Sequence, residues 1–226
     1  MDVGRSIKFV TADPRWVTKV LIGALIAFAS LLTAVVLVGF VGFFILAGYY
    51  QEVTRRAYDG HPEPLPDWDN FGKFLGEGFQ VSVGWFIWYL PLLAFQVPLL
   101  IWQYTAHDPS SGLAVFGLRC LLYPLQLALG VCVLPIVAAR FAVDTRFGAM
   151  FEIEQIFGEI KRGFVPLLLL FGVTLVASIA AIFGIIACCV GLFATFHVAS
   201  LITSHLRGQV YREAHGAGPA NAPVAF

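Results

Sequence analysis

Arg119, Tyr123, Gln126 and Gly130 follow one another at spacings of four, three and four residues, which puts their side chains on one face of a helix. Tyr89, Gln96 and Gln103 recur every seven residues in the preceding apolar stretch, again on one face. Polar side chains inside apolar helices face a protein interior or a wet cavity. With His197 from the last apolar run, Gln96, Gln103, Arg119, Tyr123 and Gln126 form a candidate polar cleft. Such a cleft could be the path of a small transporter or channel. Its groups could equally serve as interhelical hydrogen bonds, worth about 0.6 kcal/mol each on average. No Asp or Glu lies deep in any apolar run, so proton coupling through a carboxylate is not expected.

Other chemistry is harder to build. His197, Ser200 and Ser204 share a helical face, but a nucleophile needs a base within hydrogen-bond reach and a third, orienting group. No Gly-x-Ser-x-Gly elbow is present. Small residues that let helices approach closely account for the pattern. Asp67 and Asp69 near His61 fall short of the three or four converging ligands a metal needs. Instead, the Leu65-Pro66-Asp67-Trp68-Asp69 stretch reads as a turn in which Trp68 anchors at an interface and Asp69 caps a helix. Cys120, Cys132, Cys188 and Cys189 all fall in apolar runs without a Cys-x-x-Cys pair, as packing residues do. Glu52 with Arg55 and Arg56, and Arg140 with Asp144, read as local ion pairs where helices leave a bilayer. The expectation is a chain with no enzymatic activity, no cofactor and no metal.

These residues are carried by an apolar chain. Of 226 residues, 59% are hydrophobic and 12% charged, where a soluble domain is nearer a quarter charged. The expected fold class is an all-α integral membrane protein, one polytopic domain over 1–213. Its embedded runs are 17–50, 81–104, 113–143 and 165–206. The first is too long and starts too late for the core of a cleavable signal. Val165 to Leu206 contains no Asp, Glu, Lys or Arg. One helix of that length would be roughly 63 Å long, against about 30 Å of hydrocarbon. It must fold back, with Gly184 and Gly191 marking the bend. The run 17–50 invites the same treatment, with Gly39-Phe40-Val41-Gly42 as the tip of a helical hairpin, or else stays one tilted helix.

Between the runs lie a polar insert, 58–80, and an amphipathic stretch, 147–162. In the insert, Asp69 or Asn70 can cap a surface helix with Phe71, Phe74, Leu75 and Phe79 on one side and a Lys73–Glu77 pair on the other. In the stretch, Met150, Ile153, Phe157, Ile160 and Phe164 oppose Glu152, Gln155, Glu159 and Arg162. Residues 1–16 form an interfacial helix, and Asp13-Pro14 signals the start of the next. The Gly-, Ala- and Pro-rich tail, 214–226, is expected to be disordered.

Basic residues choose between the layouts. Four simple spans divide the 14 Lys and Arg residues evenly, which leaves the positive-inside rule silent. Folding both long runs into hairpins gives about six embedded helices and puts all but Arg119 on one side. That side is then cytoplasmic and holds both termini, in a prokaryotic cytoplasmic membrane. Trp16, Trp68, Arg55, Arg56 and Arg162 become interface anchors. Membrane lipids, and another membrane protein or a larger complex, are the expected partners; a net charge of zero offers nothing to nucleic acid.

Gly48-Tyr49 with Arg55-Arg56, Gly60, the Leu65–Asp69 stretch, Gly78 and the closing His205-Leu206-Arg207-Gly208-Gln209-Val210-Tyr211-Arg212 carry a resemblance. Together they are similar to the prokaryotic membrane proteins of the domain of unknown function 4013 family. The resemblance implies a multi-helix membrane protein and brings no activity and no catalytic residues. An accessory or scaffold subunit is the expected role, with the small transporter or channel as the alternative.

Overall fold

The computed structural model describes residues 2–34, 38–61, 65–105, 109–184 and 188–215, the side chains of 109–111 and 188–190 excepted. Among these residues the chain is all-α. Its helices are α1 (Val3–Ala12), α2 (Trp16–Thr33), α3 (Gly39–Asp59), α4 (Phe71–Thr105), α5 (Pro109–Ala128), α6 (Leu134–Asp144), α7 (Ile153–Arg162), α8 (Phe164–Ile182) and α9 (Cys188–Ala214). A π-helical turn, Leu129–Val133, runs α5 into α6, and a 3-10 turn, Phe147–Phe151, precedes α7. Four stretches among the described residues are long and apolar enough to cross a membrane: Trp16–Thr33, Phe71–Thr105, Gly112–Asp144 and Phe164–Ile182.

Helix α3 is the hub, packed against α2, α4, α6 and α9. Missing side chains permit the approach. A Cβ on Gly48 would enter the backbone of Phe74, and one on Gly78 would enter that of Phe44. Gly208 of α9 lies in the same way against the Thr54 carbonyl. Tyr49, Val53, Phe74 and Leu201 fill one buried cluster around this hub; Val81, Val137, Phe141, Met150, Ile156 and Leu206 fill a second around α6. Helix α1 is docked on α9. Ser6 Oγ lies 2.8 Å from His205 Nδ1, Gln209 Oε1 accepts from the Asp2 amide at 2.8 Å, and the Phe9 and His205 rings stack.

Each long apolar run is divided, with residues 35–37 and 185–187 outside the described set. Gly39 to Gly42, expected as a tip, are instead the first turn of α3. Gly39 and Gly42 lie against Ser30 and Ala34, so their role is close packing on α2. Gly184 follows α8 and lies against Gly191 and Thr195 of α9.

The separate surface helix expected over 71–80 does not form. Helix α4 runs unbroken for 35 residues from Phe71, through Pro91 and Pro98. Phe74 and Gly78 are buried against α3, so the first turns are fixed by packing and pass straight into the apolar run. Asn70 does occupy the cap position, its carbonyl accepting from the Phe74 amide at 3.1 Å. Lys73 and Glu77 do not pair. Each reaches α3 instead, Lys73 to Glu52 at 2.8 Å and Glu77 to Arg55 at 3.0 Å.

The amphipathic stretch forms, but its two faces do not divide cleanly into inside and outside. Met150 and Ile156 are buried, yet so is Glu159, while Ile153 and Phe157 are exposed. Glu159 is buried because a buried cation, Arg140, pairs with it. At the termini, Ala214 closes α9; the rest of the expected disordered tail, from 216, lies outside the described residues. So do His107, Asp108 and the side chains of Cys188 and Cys189. Cys120 and Cys132 are free thiols.

Candidate functional site: polar groups between the helices

Asp13, Lys19 and the Leu65–Asp69 loop form the first polar assembly. Asp13 accepts from the Arg15 amide at 2.7 Å, which starts α2 at Trp16 rather than at Pro14. Lys19 is buried and reaches Asp13 at 2.7 Å, Asp67 at 2.9 Å and the Leu65 carbonyl at 2.9 Å. The hydrogen bond from Lys19 holds the Asp67 carboxyl below the usual carboxylate range. Trp68 donates its indole N–H to the Lys19 carbonyl at 3.1 Å and stacks on Tyr49, whose hydroxyl donates to the Pro66 carbonyl at 2.9 Å. Trp68 is therefore a clasp between loop, α2 and α3. Among the described residues no three His, Cys, Asp or Glu side chains group as metal ligands.

Arg55 and Arg56 are likewise tied down. Arg55 pairs with Glu52 and Glu77 and donates Nε–H to the Ala142 carbonyl at 2.6 Å. Arg56 reaches Glu52 at 3.3 Å. Burial works against the Glu52 carboxylate, but the Lys73 hydrogen bond and the Arg55 charge outweigh it and hold its pKa below the usual value. Trp16 is half-buried, and Arg162 is exposed at the end of α7.

Arg140 sits at the centre of the second assembly, 3% exposed. It does not pair with Asp144, as its spacing suggests; Asp144 faces Arg146 at 3.6 Å. Its guanidinium donates to the Ala149 carbonyl at 3.0 Å, to Gln155 at 2.7 Å, to Glu159 at 2.5 Å and to Glu152. Tyr211 and His215 close on Glu159 from α9 and from the residue after it.

Of the candidate cleft residues, four come together. Gln96, Arg119, Tyr123 and Gln126 line a cavity of about 330 Å³ between α4 and α5, with Leu93, Val97, Leu100 and Leu122 as its apolar wall. Gln96 donates to Gln126 at 3.1 Å. Gln103 is exposed and lines no part of it. His197 belongs elsewhere, held by the Tyr50 hydroxyl at 2.9 Å and fitted against Gly23.

That second place is a cavity of about 580 Å³ enclosed by α2, α3, α4, α8 and α9. Leu31, Phe43, Leu192, Phe193 and Phe196 line it together with Gln51, Trp85, Ser200, Thr203 and Arg207. Gln51 Oε1, Trp85 Nε1 and Arg207 Nε are buried without a hydrogen-bond partner among the described residues. Gln51, Trp85 and Arg207 escape a reading of the sequence. Each stands alone on its own helix, and only the packing of five helices joins them. The hydroxyl face 197–200–204 was the one available signal.

The deciding comparison is with the family model described as protein of unknown function DUF4013, which matches residues 31–190. The chain belongs to this family. An uncharacterized protein of Methanocaldococcus jannaschii is 28% identical over 136 residues, which are 59% of this chain and 47% of that protein. The matched region thus spans about half the length of this relative. No solved structure matches.

Proposed function

We propose that this DUF4013 chain is a non-enzymatic integral membrane protein, an accessory or scaffold subunit that contacts lipid or another membrane protein. Six embedded helices, with both termini on the cytoplasmic side of a prokaryotic membrane, belong to the same proposal. One observation carries it. The C-terminal half of α4 and the described part of α5 carry an apolar surface on which Phe95, Ile101, Leu113, Phe116, Leu121 and Leu125 are exposed. In water such a surface would be a liability; in hydrocarbon it is a lipid face or a contact for another membrane helix. The test is extraction into lipid nanodiscs followed by native mass spectrometry. A stoichiometric protein partner, lost when Phe116 and Leu121 are changed to Ala, supports the subunit role. A chain that always emerges alone refutes it. For the topology, a reporter within 147–161 should lie on the same side as the N-terminus, and a signal from the opposite side sinks the six-helix layout.

The α4–α5 cavity favours a second reading, a small transporter or channel. Its polar lining between two apolar helices is what a solute path requires, with the Gln96–Gln126 hydrogen bond as the closed state. Arg119→Ala or Gln126→Ala would then abolish flux without loss of expression, whereas loss of stability alone leaves interhelical bonding as their role.

A further inference from the structure

We propose that the cavity between α3, α8 and α9 binds a single-tailed anionic amphiphile, with its phosphate or carboxylate head on Arg207 and its chain against Phe43, Leu192 and Phe193. The proposal shares the six-helix membrane layout with the functional reading above and stands whether or not the apolar surface of α4 and α5 docks a partner.

Three features support it. The first is unsatisfied polarity. Gln51 is 1% exposed, and its Oε1 has no partner among the described residues. Arg207 takes part in no ion pair among them, although every other buried or half-buried cation described above has a carboxylate or carbonyl on it. Buried polar atoms without partners in a native fold call for a ligand, an ion or water. A guanidinium is the side chain best shaped to take an oxyanion through parallel hydrogen bonds.

The second is the sense of the available groups. Thr174, Ser200 and Thr203 on the wall donate their hydroxyls to carbonyls one turn back in their own helices. Among the unpartnered atoms, Arg207 Nε and the Trp85 indole are donors suited to an anion, and His197 Nε2, fitted against Gly23, is unpartnered too. Gln51 Oε1 remains to accept, which suits a hydroxyl next to that anion.

The third is direction. Along α9 the lining passes from Leu192, Phe193 and Phe196 through Ser200 and Thr203 to Arg207. Fifteen residues of helix separate Leu192 from Arg207, about 22 Å at 1.5 Å per residue. Along α3 it passes in parallel from Phe43 and Leu46 to Gln51. In the six-helix layout proposed above, both helices run toward the cytoplasmic surface, so the apolar end lies deeper and the polar end nearer that surface. A lipid lies in the same orientation. The volume, about 580 Å³, falls within the ordinary range for a ligand site and admits one chain rather than two.

Delipidated full-length protein should be offered equal amounts of a lysophosphatidylglycerol and a lysophosphatidylcholine and read by native mass spectrometry. One lysophosphatidylglycerol should be retained in preference. Arg207→Gln should weaken that retention roughly tenfold or more, the value of a charge-assisted hydrogen bond, while Arg207→Lys keeps the preference for the anion. Ala47→Phe, which fills the cavity and leaves Arg207 in place, should also lose the lipid; this variant carries the test if Arg207→Gln fails to fold. Equal retention of both lipids, or retention unchanged in Ala47→Phe, overturns the proposal. Displacement by excess inorganic phosphate also overturns it, because the site would then take a free oxyanion and not an amphiphile.

Discussion

Arg140 and Arg207 are both arginines on apolar helices, and the protein treats them in opposite ways. Arg140 is enclosed by a carbonyl, a glutamine and two glutamates drawn from α7 and the residues just before α7. It draws Glu159 of α7 into the interior while Ile153 and Phe157 stay outside. Arg207 draws in no carboxylate among the described residues. It stands at the polar end of a cavity whose other unpartnered atoms belong to Gln51, Trp85 and His197. A buried charge that is fully paired belongs to the architecture; one that is left open is available for something that arrives later. Paired and unpartnered polarity therefore sit side by side on the same helices, α9 giving Tyr211 to the first and Arg207 to the second.

The largest effect that would test this contrast is at Arg140. Arg140→Ala strips Glu159, itself 3% exposed, of its guanidinium and leaves on it, among the described residues, only Tyr211 and His215; removing one partner of such a pair costs about 3–5 kcal/mol. Thermal unfolding in detergent should show the loss, along with a collapse of folded yield. The double change Arg140→Met with Glu159→Leu removes both charges and should recover most of it. If the single variant unfolds no more easily than the parent, Arg140 is not the anchor of α7.

How far the sequence foretold this depends on the range of each interaction. The four apolar stretches were legible because hydropathy is a local sum. Gln96 and Gln126 were legible because two independent periodicities marked two faces that meet. The orientation of α7 was not, for a physical reason: periodicity says that two faces differ, not which is inside. A single polar residue, Glu159, is drawn inside when a buried cation lies 19 residues upstream. In the same way, the pairing of Lys73 with Glu52 and of Glu77 with Arg55 depends on α3 and α4 meeting at Gly48 and Gly78, which no i, i+4 rule contains. The cavity at Arg207 needs five helices in place before any of its residues acquires a neighbour.

Between the two arginines in expected size lies the half-buried cluster around Glu52. Its carboxyl is held below the ordinary glutamate value by Lys73 and Arg55, so its folded pKa is lower than its unfolded one. The sign follows: the cluster stabilises the fold at any pH above about 4.3, the unfolded value, and that stabilisation is lost as pH falls further, through the folded pKa. An unfolding midpoint followed from pH 7 downward should stay level and then drop below about 4.3. Glu52→Gln should lower the neutral plateau and flatten the drop. A profile identical to the parent would mean that Glu77 alone holds Arg55.

The smallest expected effect is the one that separates the arginines most sharply. Arg207→Gln, measured in lipid-free detergent, removes a cation that has no ionic partner among the described residues, so no opposite charge is stranded by its loss. The desolvation of a charge in an apolar setting is relieved at the same time. The unfolding free energy should therefore change by less than about 1 kcal/mol, in either direction, where Arg140→Ala loses several times more. Adding lysophosphatidylglycerol should then raise the midpoint of the parent and leave that of Arg207→Gln where it was, because only a ligand that binds the folded state stabilises it. A large loss of stability in the absence of lipid would make Arg207 a second structural arginine, and the distinction between the two sites would fall.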